Sequence, residues 1–168
     1  MLQQGGCRRI AVDGLSDIFA RNCEVRRIDK PAASAFFDLY HRLGSTTCRY
    51  RYGLFVRRRT GAGELSLPEG TMVAAAGFSN ARRWLKEGTV VSSYEWIRYA
   101  SLRGVRVVGG MGKLLEAFVE EVKPSDVMTY ADLSWPDGGE SYRKLGFVQE
   151  GTVERGGALN MKYRKKFQ

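Results

Sequence analysis

The chain holds one histidine, four prolines and three cysteines among its 168 residues. A lone histidine and the absence of any Cys-x-x-Cys spacing argue against a zinc site of the usual ligand pattern, so no metal is expected. Cys7, Cys23 and Cys48 make an odd set, better read as free thiols in a reducing compartment than as a disulfide framework. No apolar run approaches the ~20 residues of a membrane-spanning helix, so no membrane partner is expected. The opening Met-Leu-Gln-Gln-Gly-Gly-Cys-Arg-Arg lacks the apolar core of a signal peptide, which points to a cytoplasmic protein. No internal repeat or low-complexity tract is present.

Acidic residues are scarce. Eighteen Asp and Glu face twenty-seven Lys and Arg, a net charge of +9. Arg49, Arg51, Arg57, Arg58 and Arg59 crowd one segment, and Lys162, Arg164, Lys165 and Lys166 crowd another. Such an excess favours anionic partners, either nucleic acid or a phosphate-rich cofactor; a solvated basic surface is the bland alternative.

What is present is ordinary for a globular domain: 43% hydrophobic and 27% charged residues, and length for one sizeable core. Residues 1–22 read as an N-terminal extension and residues 23–168 as a single domain. Glu24 to Asp29 reads as a strand. Pro31 suits the first turn of a helix, whose face Phe36, Leu39, Tyr40 and Leu43 is expected to be buried, with Gly44 as its end. Strands are expected at Tyr50–Arg58, Thr71–Phe78 and Ser93–Ala100, with a loop at Thr60–Gly70, giving an antiparallel meander.

The stretch from Arg98 to Phe118 organises the rest. It reads as a strand end, a glycine-rich turn at Gly109, Gly110 and Gly112, and the start of a helix with Leu114, Leu115, Phe118, Val119 and Val122 on one face. A strand, glycines and a helix N-terminus make an anion site, or a tight turn with no ligand. Val127 to Asp132 is then a short buried strand, parallel to its predecessor. A loop at Ser134–Gly139, a short helix at Glu140–Leu145 and two strands, Phe147–Val153 and one carrying Leu159, Met161, Tyr163 and Phe167, complete the chain. The order implies an α/β fold around a mixed sheet.

That order, with Tyr142-Arg-Lys-Leu-Gly-Phe147 before the late strands, resembles the GNAT superfamily of acyl-CoA-dependent N-acyltransferases over Glu24–Phe167. In that family the central helix N-terminus binds the pyrophosphate of coenzyme A through an Arg/Gln-x-x-Gly-x-Gly/Ala motif. Aligned on Leu114-Leu115, Arg106 and Gly109 take their places and Met111 stands where Gly or Ala is usual. A narrower likeness lies in Val108-Gly109-Gly110-x-x-Lys113-Leu114-Leu115, Tyr130-Ala131-Asp132-x-x-Trp135, Tyr142 and Lys144-Leu145-Gly146-Phe147. With His41 near the end of the first helix, followed by Gly44, and Arg98 in Glu95-Trp96-Ile97-Arg98-Tyr99, it resembles a phage-associated branch that includes Mom-like DNA-modification proteins and domains attached to homing-endonuclease-like proteins.

The resemblance implies an acyltransferase using acetyl-CoA or another acyl-CoA on an unidentified amine. Arg106, Val108, Gly109, Gly110, Met111, Gly112 and Lys113 would hold the cofactor. Tyr142 matches the family tyrosine that protonates the leaving thiolate, and a buried ring capping the short helix is the alternative. Asp132, at the carboxyl end of its strand, and His41 are candidate bases, with a loop cap and simple packing as their alternatives. Arg98 would grip a phosphate or carboxylate, or pair internally with Asp132 or Glu95. The Mom-like pattern and the basic balance carry a second expectation, a nucleic-acid modification or binding protein on the same fold. Met111 carries a third, a GNAT-like domain without activity.

Overall fold

The computed structural model describes residues 16–58 and 67–167. Cys7, Arg59, residues 1–15 of the expected extension and the first part of the Thr60–Gly70 loop lie outside them. The chain divides into two compact units, one of residues 1–77 and 98–121, the other of residues 78–97 and 122–168. The fold is α/β, with strands in mixed directions and helices between them.

In the first unit, strand β1 (Ser16–Phe19) pairs in parallel with β7 (Val105–Val108), Ile18 facing Val107. Residues 16–22, expected to be a loose extension, are therefore partly built into the unit. Ile18, Ala20 and Cys23 are buried. Their partner strand lies far along the chain, so no local pattern announced the pairing. After a 3-10 turn, β2 (Cys23–Arg27) pairs antiparallel with β3 (Tyr50–Val56). Helix α1 (Lys30–Tyr40) begins at Asp29, whose side chain accepts the Ala32 N–H at 2.9 Å, with Pro31 in the first turn.

Helix α1 ends at Tyr40 and is capped by His41, not Gly44. The buried stripe also differs from the expected one. Ala33, Phe36 and Phe37 meet Ala75 of β4 (Met72–Phe78) and Ala100, with Ile28, Tyr40, Met72 and Leu102 packed around them. Leu39 and Leu43, expected inside, are 47% and 64% exposed. Ala74, Ala75 and Ala76 are fully buried, and the small side chain of Ala75 admits the rings of Phe36 and Phe37.

Strand β6 (Thr89–Ser101) is longer than expected. Its first residues belong to the second unit and its last to the first. An unforeseen strand, β5 (Arg82–Lys86), folds back on β6 through Glu87 and Gly88, both at positive φ. This is the turn a two-residue hairpin needs. Helix α2 (Gly110–Val122) buries Leu114, Leu115 and Phe118. Phe118 meets the rings of Tyr50 and Tyr52 edge-on, at 5.5 and 6.3 Å between centroids.

In the second unit, β6 and β8 (Asp126–Asp132) run parallel, as expected, with Ser93 opposite Asp126. Strand β10 (Ala158–Lys166) pairs antiparallel with β8 on one side and β9 (Val148–Arg155) on the other. Helix α3 (Glu140–Lys144) precedes β9. Leu159 and Met161 were expected to share a face with Tyr163. Asn160 and Tyr163 are buried instead, and Leu159 is exposed. The pairing of β10 with β9 shifts register between Lys162 and Tyr163, where β9 carries the extra residue, Glu150, while β10 stays in unbroken register with β8. The core is aromatic: Phe78 stacks on Trp96 at 5.2 Å, and Tyr142, Phe147 and Tyr163 surround them. Gly139, at φ +92, lies where a Cβ would sit 2.4 Å from the Tyr163 ring, so only glycine closes this loop.

Candidate active site

The glycine turn is the first component. Gly109 takes φ +79, and the first bond of α2 runs from Lys113 N–H to the Gly109 carbonyl at 3.0 Å. The amides of Gly110, Met111 and Gly112 therefore head the helix ahead of that bond, at the positive end of its dipole. Gly110 has a packing reason of its own. A Cβ there would lie 2.8 Å from Val107 Cγ1 and 3.3 Å from the Tyr99 hydroxyl. Val108 is exposed and Met111 half-buried.

The two cations expected at this turn are committed elsewhere. Arg106 makes a two-pronged pair with Asp17, Nε to Oδ1 and Nη2 to Oδ2, both at 2.9 Å. That guanidinium holds the Asp17 carboxyl below the usual range. Lys113 Nζ donates to the carbonyls of Ala20 at 3.0 Å and Cys23 at 2.6 Å, tying α2 to the turn before β2. Neither partner was legible in sequence, because each lies about ninety residues away along the chain.

His41 and Arg98 come together in the first unit. Arg98 Nε donates to the Gly44 carbonyl at 2.9 Å, and its charge reaches the imidazole. His41 Nδ1 accepts the Leu43 N–H at 3.0 Å, and the ring meets Phe37 edge-on at 6.3 Å. With Nδ1 accepting, the neutral ring carries its proton on Nε2. Burial first, and then Arg98, push the His41 pKa down to about 4. The folded state thus binds the proton less tightly than the unfolded chain. Stability linked to His41 is fully present above the usual value of 6.5 and is lost as pH falls towards 4. As the chain has one histidine, its imidazole resonances can be followed alone. They are expected to titrate near pH 4, and a midpoint near 6.5 would show that the ring is not buried as described.

Asp132 and Tyr142 belong to the second unit. Asp132 Oδ1 accepts the N–H of Ser134 at 2.8 Å and its hydroxyl at 2.6 Å, which organises the loop after β8. Tyr142 meets Trp96 at 5.5 Å and Phe147 at 5.6 Å. Burial raises its pKa, a hydrogen bond with Thr129 partly offsets this, and Asp137 adds to the rise. The phenol therefore keeps its proton at neutral pH, as an acid catalyst must. Thr129 was not singled out from the sequence. Its inward phase, shared with Val127 and Ala131, was the available signal, and its hydroxyl donates to the Trp96 carbonyl at 2.9 Å.

Among the described residues, no group of three His, Cys, Asp or Glu side chains is placed to hold a metal ion, and no helix is long and apolar enough to cross a membrane.

Solved structures supply the comparison. NAA60 of Arabidopsis thaliana, in complex with a bisubstrate analogue, superposes with a TM-score of 0.62 at 10% identity, covering 87% of this chain and 99% of that one. The NatC complex bound to Gag peptide and CoA gives 0.58 at 10% identity, covering 88% and 99%. A GNAT-family acetyltransferase from Desulfovibrio desulfuricans gives 0.57 at 14% identity, covering 86% and 98%. The fold is that of the GNAT acetyltransferases. No family model matches the sequence, and no curated protein matches it. At such identities the GNAT likeness is one of backbone architecture, and side-chain roles rest on this chain's own chemistry.

Proposed function

We propose that the protein is an acyl-CoA-dependent N-acyltransferase built on a GNAT-like fold. The observation that carries this reading is the glycine turn that opens α2, within a backbone that follows GNAT acetyltransferases over nearly their whole length. The amides of Gly110, Met111 and Gly112 would hold the pyrophosphate of the acyl donor. Arg106 and Lys113, engaged by Asp17 and by backbone carbonyls, act indirectly by fixing β7 and α2. Acetyl-CoA, or another acyl-CoA, supplies an activated thioester carbon.

The acceptor amine must reach that carbon unprotonated. As the C–N bond forms and the C–S bond breaks, Tyr142 gives its proton to the departing sulfur. Asp132 receives the amine proton, directly or through water. His41 is a poor base for this task, since its Nδ1 already accepts a hydrogen bond and its pKa is lowered to about 4. Arg98 orients the acceptor or its anionic group.

The test is thermal unfolding with coenzyme A and acetyl-CoA. Ligand at about a hundred times its dissociation constant should stabilise the fold by ~2.7 kcal/mol. Met111→Glu should abolish that shift, because its carboxylate repels the pyrophosphate, while the ligand-free protein stays as stable. This variant is a better probe than any change at Gly110, where a Cβ collides with Val107. No shift with either ligand would overturn the assignment.

A further inference from the structure

The β5–β6 hairpin brings exposed apolar and basic side chains together. All five β5 residues are exposed, and among the described residues β5 pairs with β6 alone. Trp84 is 42%, Leu85 71% and Val90 58% exposed. Some cations elsewhere in the unit have acidic partners: Arg155 meets Glu95, and Arg164 meets Asp126 and Glu150. None of Arg82, Arg83 and Lys86 forms an ion pair with a described residue.

Strand alternation sorts these side chains. Arg82, Trp84 and Lys86 share one face, with Val91 opposite Trp84; Arg83 and Leu85 take the other, with Val90 opposite Leu85. One face thus presents an aromatic ring with a cation on each side, the neighbours about 6.8 Å apart along the strand.

We propose that this hairpin is a docking site for single-stranded nucleic acid. A base stacks on Trp84, and flanking phosphates meet Arg82 and Lys86. The net charge of +9 favours the approach of a polyanion. A single strand is the occupant that offers an open base face together with phosphates; in a duplex the faces are already stacked. An anionic membrane fits less well. The turn that would enter first carries Glu87, and the apolar residues are divided between two faces. The proposal does not depend on acyl transfer, and its test contains no acyl donor.

The test uses the full chain and a short labelled oligothymidylate, with anisotropy read over a range of salt. Wild type should bind, with affinity falling steeply as salt rises. Trp84→Ala should weaken binding about tenfold to a hundredfold. Replacing Arg82 and Lys86 together by alanine should reduce the slope of log affinity against log salt by about 1.4. Since all three side chains are exposed, melting temperature should not move. The proposal fails if wild type does not bind at low salt. It fails if the variants bind with unchanged affinity and slope. It also fails if the chain ignores the oligonucleotide but sediments with phosphatidylserine vesicles in a Trp84-dependent way.

Discussion

Replacing Tyr142 with phenylalanine is expected to cut turnover by about a hundredfold to ten-thousandfold, the range of a lost general acid. Coenzyme A binding should be unchanged. The ring stays in place, because its contacts with Trp96, Phe147 and Tyr163 need no hydroxyl. Only the hydrogen bond with Thr129 is lost, so stability should fall by no more than about 1 kcal/mol. The assay is thiol release from acetyl-CoA with a mixed pool of peptide and polyamine acceptors. Because burial raises the phenol pKa, wild-type turnover should not decline until pH exceeds the ordinary tyrosine range. Full turnover in the variant would mean that water or another group protonates the thiolate.

The largest expected loss of stability lies at Asp126. This buried carboxylate accepts the Ser93 hydroxyl at 2.6 Å and is paired with Arg164, which also donates to Ser93 at 3.2 Å and to Glu150 at 2.9 Å. Four strands, β6, β8, β9 and β10, meet in this cluster. Asp126→Ala leaves a guanidinium largely out of water with one partner fewer, and a buried hydroxyl without its acceptor. Breaking such a pair costs about 3 kcal/mol or more. For a chain of this size that lowers the melting temperature on the order of 10 °C. Arg164→Met alone should also destabilise. The double variant should lose less than the sum, because neither charge is then stranded. Strictly additive losses would show that the two groups do not act as a pair.

Where the chain's signals are local, they were readable. Asp29 and Pro31 marked the start of α1, the apolar spacing of Leu114, Leu115 and Phe118 gave the buried face of α2, and Val127 to Asp132 gave a buried strand. Two local signals were misjudged. Glu87-Gly88 is the turn of a hairpin whose first strand, β5, is polar and exposed, so burial left no pattern in it. Leu43 continued the helical spacing of α1 past the residue where the helix stops. The glycine turn was legible as a turn, but whether its glycines serve packing or a ligand was not. Val107 and Tyr99 answer that for Gly110 through a contact no spacing encodes.

Most of the order of the elements, β1 and β5 apart, and the excess of positive charge could be read from the chain alone, because propensity, periodicity and charge are properties of neighbouring residues. The partners of the charged side chains came from packing in three dimensions. It assigned Arg106 to Asp17, Lys113 to the carbonyls of Ala20 and Cys23, and Arg164 to Asp126. It also set the titration of His41 and Tyr142, through burial and the neighbours Arg98 and Thr129. Hydrogen bonds and desolvation act over a few ångströms in space, and the groups they join here are mostly dozens of residues apart along the chain.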